Sequence, residues 1–217
     1  MIVIADSGST KTHWALIKSS EIVDYKETQG VNPLHGDLQA TGQALAGGLG
    51  PWPLKDVMHI YFYGAGCASP QLCRQVAGML APVFPAAHAE VASDMLGAAR
   101  AVHQHSLGVA SILGTGSNSC WYDGKHIADQ VPALGYILGD EGSGAVLGRT
   151  VLNRYFKRDM PEHLRVKFEG SYPHSLQDVL PNVYRSQAPS RYLARFSRFV
   201  ADNLAEPYLK KLASDVF

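Results

Sequence analysis

Two short turns that are rich in glycine and hydroxyl side chains could bind an anion. The first runs from Asp6 to Thr12 with the sequence DSGSTKT, and the second runs from Leu113 to Asn118 with the sequence LGTGSN. Successive backbone N–H groups in such turns form a cradle for anions, and glycine lets a ligand approach the backbone closely. Each turn alone is equally consistent with a solvated hairpin tip, but the pair predicts a site for two neighbouring phosphate groups.

The first turn offers backbone, hydroxyl and ammonium groups to a phosphate, and its candidate contacts are Gly8, Ser9, Thr10, Lys11 and Thr12. Asp6 stands at the end of the preceding strand, where a carboxylate can hold Mg²⁺ through water. The turn is not a Walker A loop, because the first glycine of that motif is missing and a strand follows instead of a helix.

Three further polar residues could contact a hydroxyl-bearing substrate. Asp94 follows Ser93 at a predicted helix start, where the helix keeps a carboxylate ionised, as a group that orients a hydroxyl and accepts its proton must be. Asp140 lies among glycines in the sequence GDEGSG, so its carboxylate is sterically open to hydroxyl groups. Asn32, in the sequence GVNP, could bind a hydroxyl or an acetamido carbonyl. Helix capping and ordinary turn formation remain alternative roles for all three.

Composition narrows the class of protein. The 217 residues carry 19 basic and 19 acidic side chains, so no basic stripe predicts nucleic-acid binding. Three cysteines at irregular spacing predict reduced thiols rather than disulfides or a metal site. The apolar run at the amino terminus lacks the cationic start of a signal peptide, and this run is too short to span a bilayer. We therefore expect a cytoplasmic enzyme without a membrane partner.

Hydrophobic patterning predicts a strand–turn–strand–turn–strand unit that occurs twice. The predicted strands are 2–5, 13–17, 22–27, 57–63, 88–92, 107–113, 119–122 and 125–131. Such self-similarity suggests a duplicated domain, with 1–105 as the first domain and 106–217 as the second. The predicted helices are 36–48, 70–80, one that follows the predicted N-cap Ser93 and runs through 102, 143–156 and 190–212, with Pro207 ending or kinking the last. Residues 158–189 have no assignable pattern.

The motifs DSGSTKT, GVNP, SD, LGTGSNS and GDEGSG, in this order, resemble the BadF/BadG/BcrA/BcrD ATPase family, and within it the branch similar to N-acetylglucosamine kinase. The resemblance covers about residues 1–150. It implies an α/β protein of the actin/hexokinase/Hsp70 class, with two RNase H-like domains and a cleft between them. Because the chain ends without the family's glycine-rich adenosine-binding turn, the second domain is expected to be incomplete.

The resemblance also implies roles for individual residues. Gly8, Thr10, Lys11 and Thr115 match positions that contact ATP, and Asp6 lies near Mg²⁺. Asn32, Ser117, Asn118 and Asp140 match positions that contact the sugar, and Asp94 matches the catalytic base. The implied activity is ATP-dependent phosphorylation of an amino sugar, most simply N-acetylglucosamine.

The expected partners are therefore a small sugar and ATP, with a homodimer left open. Two alternatives to the kinase remain open as well. The missing adenosine motif favours a non-catalytic sugar- or nucleotide-binding module, or a degenerate kinase fragment. An ATPase coupled to a partner protein would release ADP without any sugar.

Overall fold

The computed structural model describes residues 1–8, 10–34, 37–172, 175–186 and 188–217, which form two compact units. The first unit comprises Met1–Ala110 and Trp121–Ala128, and the second comprises Ser111–Cys120 and Asp129–Phe217. The domain boundary expected between residues 105 and 106 stays a prediction.

A five-stranded sheet forms the centre of the first unit. Its strands are β1 (Ile2–Ser7), β2 (Lys11–Lys18), β3 (Glu21–Gln29), β4 (His59–Gly64) and β5 (His88–Ser93), in the spatial order β3-β2-β1-β4-β5. The β1–β2 and β2–β3 pairs are antiparallel, whereas β1 is parallel to β4 and β4 is parallel to β5. The carboxyl ends of three parallel strands therefore meet at one edge of the sheet, which is where α/β sheets usually bind ligands.

Strand alternation sends one set of side chains into the core of the first unit. In β2 the side chain of Trp14 is fully buried, and its ring lies 5.8 Å from the ring of Phe62 in β4 and 6.3 Å from the ring of Phe84. Lys11 and His13, which alternate with Trp14, are exposed. The period of two thus separates a packed aromatic face from a polar face along the same strands.

Three helices flank this sheet, each begun by a side-chain cap: α1 (Leu38–Leu49), α2 (Pro70–Leu80) and α3 (Asp94–His103). A short 3₁₀ turn spans Leu54–Asp56. Helices α1 and α2 contribute to the core that contains Phe62. Helix α3 packs against β1, β4 and β5, and its Gly97 lies over the Tyr63 ring. Because Phe62 and Tyr63 are consecutive strand residues, α3 covers the opposite face of the sheet.

The remaining strands are β6 (Gly108–Leu113), β7 (Ser117–Tyr122) and β8 (Ile127–Asp129), and they form a sheet in that order. The helices of the second unit are α4 (Gly135–Leu138), α5 (Gly144–Phe156), α6 (Glu162–Glu169), α7 (Leu176–Tyr184), α8 (Pro189–Ala194), α9 (Ser197–Asp202) and α10 (Pro207–Val216). Aromatic residues hold these helices together, with Phe168 packing against Tyr155, Phe196 and Phe199. Both strand triplets predicted from the sequence are present, as β1–β3 and as β6–β8.

The prediction of one helix over 190–212 is wrong. The chain forms three short helices there. Of the apolar stripe behind the prediction, Leu193, Phe196 and Val200 are buried, whereas Leu204 is 50% exposed. Pro207 begins α10 rather than ending a helix, because proline fits the first helical turn, where no partner for its missing N–H is needed. Residues 158–189, which showed no pattern, contain α6 and α7. Among the helices of the described ranges, none has both the length and the apolarity to span a membrane.

Candidate active site

Two aspartates lie close together where β1 and β5 end. Asp6 is the penultimate residue of β1, and Asp94 is the first residue of α3, directly after β5. Ser93 caps α3, because its Oγ accepts a hydrogen bond of 3.2 Å from the Leu96 N–H, as the sequence predicted. The two carboxylates are near enough for the charge of Asp6 to affect the ionisation of Asp94. The carboxyl edge of the first unit is therefore acidic.

Burial raises the pKa of Asp94 above the ordinary aspartate value of 3.8, and the nearby negative charge of Asp6 raises it further. Opposing this, the Asp94 Oδ1 accepts a hydrogen bond of 2.9 Å from the Met95 N–H, which lowers the pKa. Desolvation is the largest of these effects. A partly buried carboxylate with a raised pKa is suited to accept a proton from a hydroxyl.

The first glycine turn is a tight hairpin between β1 and β2. The Gly8 N–H donates to the Lys11 carbonyl at 3.0 Å, and the Gly30 N–H donates to the Thr10 carbonyl at 3.0 Å. A Cβ at Gly8 would make only an ordinary contact of 3.8 Å with that Lys11 oxygen. The fold itself therefore does not require glycine at this position, which leaves its backbone accessible. Ser9, a predicted phosphate contact, lies outside the described residues.

The Lys11 ammonium group already has an acidic partner. Its Nζ lies 2.8 Å from Oε1 of Glu27 on the neighbouring strand β3, and this contact lowers the pKa of Glu27. His13 lies on the same face, with its Nδ1 3.9 Å from Glu27 Oε2. Lys11 is thus placed on a polar face of the sheet, and any phosphate contact it makes competes with Glu27.

The hydroxyl of Thr12 has a structural role instead of the ligand-facing one that the sequence suggested. Thr12 and Ser7 are both fully buried and share a hydrogen bond of 2.7 Å. Thr12 Oγ1 lies 3.2 Å from the Gln29 carbonyl, and Ser7 Oγ accepts from the Val31 N–H at 2.9 Å. These bonds hold the loop that follows β3 against the first turn.

Asn32, the predicted sugar contact, sits in this anchored loop. Its Oδ1 accepts a hydrogen bond of 2.9 Å from the Leu34 N–H. The same oxygen lies so near Gly66 that a Cβ there would be only 2.4 Å away, and Gly66 has a left-handed φ of +81°. Gly66 must therefore be glycine. It was not a predicted site residue, although the sequence GAG at the end of β4 was a visible signal.

The second glycine turn, in the second unit, is held by the amino terminus of α5. The Gly144 N–H donates to the Gly114 carbonyl at 2.8 Å, and the Ala145 N–H donates to the Thr115 carbonyl at 3.1 Å. In a trans peptide the carbonyl of one residue and the N–H of the next point in opposite directions. The N–H groups of Thr115 and Gly116 consequently point away from α5, as an anion-binding turn requires.

Asp140 lies against this turn in a strained backbone conformation. It is only 8% exposed, and its φ is +56°, a left-handed value that aspartate tolerates better than most residues. A Cβ at Gly116 would be 2.9 Å from Asp140 Oδ2, so the glycine makes room for the carboxylate. Burial raises the pKa of Asp140, the Ser117 backbone N–H lowers it, and the charge of Glu141 raises it.

Ser117 and Asn118 continue from the turn into β7. Ser117 Oγ donates to the Glu141 carbonyl at 2.8 Å, which ties the start of β7 to the segment that carries Asp140. Asn118 Oδ1 accepts from the Ser119 N–H and from Gln130 Nε2, both at 2.9 Å. Gln130 was not a predicted site residue, and no motif surrounds it in the sequence.

The predicted residues therefore form two groups, one in each unit. The first unit brings together Asp6, Gly8, Thr10, Lys11, Asn32 and Asp94 around the carboxyl edge of its sheet. The second unit brings together Thr115, Ser117, Asn118 and Asp140 around the second turn. Within the described ranges, no cluster of three or more His, Cys, Asp or Glu side chains could hold a metal ion. Asp6 and Asp94 remain as a pair of oxygen donors.

The solved structures that are similar to this chain include two that match 99% or more of it. A protein from Porphyromonas gingivalis, provisionally assigned as an N-acetylglucosamine kinase, matches 100% of this chain and 77% of its own, with 43% sequence identity and a TM-score of 0.94. A protein from Chromobacterium violaceum with the same provisional assignment matches 99% of this chain and 80% of its own, with 22% identity and a TM-score of 0.79. No family model and no curated protein matches the chain.

These matches differ in what they establish. The second, at 22% identity, shows the fold alone, whereas the first combines high identity with coverage of the entire chain. Together with the strand order of the first unit, they confirm the predicted α/β fold class.

Proposed function

Because this chain belongs to the N-acetylglucosamine kinase family, we propose that it transfers the terminal phosphoryl group of ATP to a hydroxyl of N-acetylglucosamine. The observation that carries the proposal is the Asp6–Asp94 pair at the carboxyl edge of the parallel strands, in a chain 43% identical to its Porphyromonas gingivalis relative. The order of the five sequence motifs further supports membership of the BadF/BadG/BcrA/BcrD ATPase family.

Asp94 is the proposed catalytic base. The sugar hydroxyl donates a hydrogen bond to the Asp94 carboxylate, and its oxygen attacks the terminal phosphorus of ATP. The bond from that phosphorus to the oxygen bridging it to ADP breaks, ADP leaves, and the hydroxyl proton passes to Asp94. In such a reaction the proton leaves late, so the orientation given by Asp94 matters more than strong basicity.

The two glycine turns are the proposed phosphate contacts. We assign phosphate contacts to four residues of the first turn and one of the second: Gly8, Ser9, Thr10, Lys11 and Thr115. The outward N–H groups of Thr115 and Gly116 support this assignment, as do the open space beside Gly114 and the single ordinary contact of 3.8 Å that a Cβ at Gly8 would make. Asn32, Ser117, Asn118 and Asp140 are assigned to hydroxyl and acetamido groups of the sugar.

Mg²⁺ is the proposed metal, with Asp6 as the residue that would hold it. The donor set fits this ion, because Mg²⁺ is usually bound by one or two carboxylates together with nucleotide phosphates rather than by a cage of protein ligands. When bound, Mg²⁺ neutralises charge on the phosphate oxygens. Its charge would also offset the effect of Asp6 on Asp94.

The test is ADP release by the purified chain with ATP and Mg²⁺, measured with N-acetylglucosamine, N-acetylmannosamine, glucosamine, glucose or no sugar. We expect sugar-dependent ADP release and a sugar product that gains one phosphoryl group by mass spectrometry. Asp94→Asn should abolish both, whereas Asp215→Asn, at an exposed position of α10, should not. ADP release without sugar would instead indicate a partner-coupled ATPase, and sugar binding without ADP release would indicate a binding module.

A further inference from the structure

Helix α3 lies close against the sheet one turn after Asp94. A Cβ at Gly97 would lie only 2.7 Å from Cγ and 2.8 Å from Cβ of Tyr63. No side chain larger than hydrogen fits there without moving the helix or the tyrosine. Because residues three apart share one face of a helix, Asp94 and Gly97 lie on the same side of α3. The height of Asp94 above the sheet is therefore set by the Tyr63 ring.

Arg100, one further turn along α3, fixes the other end of Tyr63. Its Nη1 donates to the Tyr63 Oη at 2.9 Å and to Glu90 Oε1 at 2.7 Å. The guanidinium carbon also lies 5.8 Å from the centre of the Tyr63 ring. Glu90 belongs to β5, so Arg100 ties α3 to two strands at once. We call Tyr63, Glu90, Gly97 and Arg100 the Tyr63 cluster.

The Tyr63 cluster also lies next to Asp6, the second carboxylate residue, in the sheet. Tyr63 of β4 is the direct register partner of Asp6 of β1 in the parallel pair. Directly paired residues project from the same face of a sheet, so Asp6 lies on the face that α3 covers. One tyrosine thus borders the strand residue that carries Asp6 and supports the helix that carries Asp94.

We propose that the Tyr63 cluster is a positioning device for the transfer reaction, which holds the Asp94 carboxylate in line with the acceptor hydroxyl. This inference rests on the proposed function. The cluster acts through geometry, because it holds α3 by the packing of Gly97 on the Tyr63 ring and by the hydrogen bonds of Arg100. A displacement of about 1 Å at a reacting group can lower a rate by about 100-fold.

The exposure of the cluster argues against a role in stability alone. The side chains of Arg100 and Glu90 are 36% and 44% exposed, and ion pairs at such positions contribute little to folding. Loss of the Tyr63 hydroxyl should therefore be visible in catalysis before it is visible in thermal stability.

The kinetic test compares Tyr63→Phe, Arg100→Met and Arg100→Lys with wild type. Tyr61→Phe is the matched control, because Tyr61 lies on the same face of β4 and outside the cluster. We expect kcat to fall about 10-fold in Tyr63→Phe and more in Arg100→Met, with KM for both substrates within about 2-fold. Arg100→Lys should recover part of kcat, and the control should match wild type. An unchanged kcat in Tyr63→Phe, or a fall in kcat that only follows a loss of folded protein, would overturn the proposal.

A second measurement does not depend on activity. Hydrogen–deuterium exchange of the α3 amides should be about 10-fold faster in Tyr63→Phe than in wild type, with α2 and the Tyr61→Phe control unchanged. Unchanged α3 exchange refutes the positioning role. If wild type itself transfers no phosphate while α3 exchange responds as expected, the proposed function fails and the structural coupling stands.

Discussion

The Ser7 hydroxyl accepts a hydrogen bond of 2.9 Å from the Val31 N–H, although 24 residues separate them in the chain. Ser7 is fully buried, so Ser7→Ala leaves the Val31 N–H without this acceptor, a loss of about 1–3 kcal/mol in the free energy of unfolding. Asn32 follows Val31 directly in the chain, so the loop that carries Asn32 should become less ordered. We expect a lower Tm and a higher KM for the sugar.

Chemical denaturation and sugar kinetics measure the two effects of Ser7→Ala. Ser214→Ala is the control, since that hydroxyl donates to the Lys210 carbonyl of its own helix at an exposed position. A variant with wild-type stability would show that the buried network does not anchor the loop.

Asp94→Asn should make the protein more stable while removing activity. A carboxyl group whose pKa is raised by folding binds more protons in the folded state than in the unfolded one, so its contribution to stability falls as pH rises through that window. The amide has no charge to desolvate and can still accept from the Met95 N–H. We expect a higher Tm than wild type at pH 7, and kcat lower by about 100- to 10,000-fold.

The stability difference between Asp94→Asn and wild type should shrink as the pH is lowered from the raised pKa of Asp94 to below 3.8, because the wild-type carboxyl group takes up a proton over that range. Differential scanning calorimetry at several pH values follows this change. A destabilised variant at pH 7 would mean that the buried charge is compensated by partners that the amide cannot use.

The acid side of the pH–activity profile should report Asp94. Because burial and Asp6 raise its pKa, kcat/KM should begin to fall at a pH above that of an ordinary aspartate. Raising the Mg²⁺ concentration should move this limb to lower pH, since the metal charge offsets that of Asp6. An acid limb of kcat/KM that does not move with Mg²⁺ concentration would contradict the proposed binding of Mg²⁺ by Asp6.

Gly8→Ala and Gly114→Ala should weaken ATP binding without harming the fold. Neither position has a left-handed φ, and a Cβ would meet open space at Gly114 and only an ordinary contact at Gly8. We expect unfolding free energies no lower than wild type but KM for ATP higher by about 10-fold or more, because a methyl group would keep phosphate from the backbone donors. Gly47→Ala, in the open on α1, is the control. Unchanged ATP affinity in both variants would remove the turns from the phosphate site.

Replacements of Asp140 should separate backbone strain from buried charge. Asparagine tolerates the left-handed conformation and carries no charge, so Asp140→Asn should be at least as stable as wild type at pH 7. Alanine at φ +56° costs about 1–2 kcal/mol, so Asp140→Ala should be less stable than Asp140→Asn. Both should lose sugar affinity, measured by calorimetry. Equal stabilities of Asp140→Asn and Asp140→Ala would indicate that the backbone at residue 140 relaxes and relieves the strain.

Local sequence patterns predicted much of the fold because most strands and caps depend on neighbouring residues. The Ser93 cap, the start of α3 at Asp94 and the bounds of α2 all follow from such short-range signals. The break within 190–212 does not follow from short-range signals. The apolar pattern in the sequence continues through the break, and only tertiary packing decides where the helices end.

The sequence named the candidate site residues but not the contacts that these residues make. Ser7 and Thr12 alternate in phase with buried Ala5 and Trp14, so strand parity could have placed their hydroxyls inside the core. The Lys11–Glu27 contact needs the β2–β3 register, which no local pattern gives. Gln130 joins Asn118 only through the tertiary fold.

The attachment of the second turn to α5 has an electrostatic consequence. The 13-residue helix places its positive end on the carbonyls of Gly114 and Thr115, and each polarised carbonyl draws electron density through its own peptide group. The N–H groups on the far side of those peptides become stronger donors. The turn therefore relays the field of a helix whose own first amides are already occupied, and it can attract anionic oxygen without a lysine or arginine of its own.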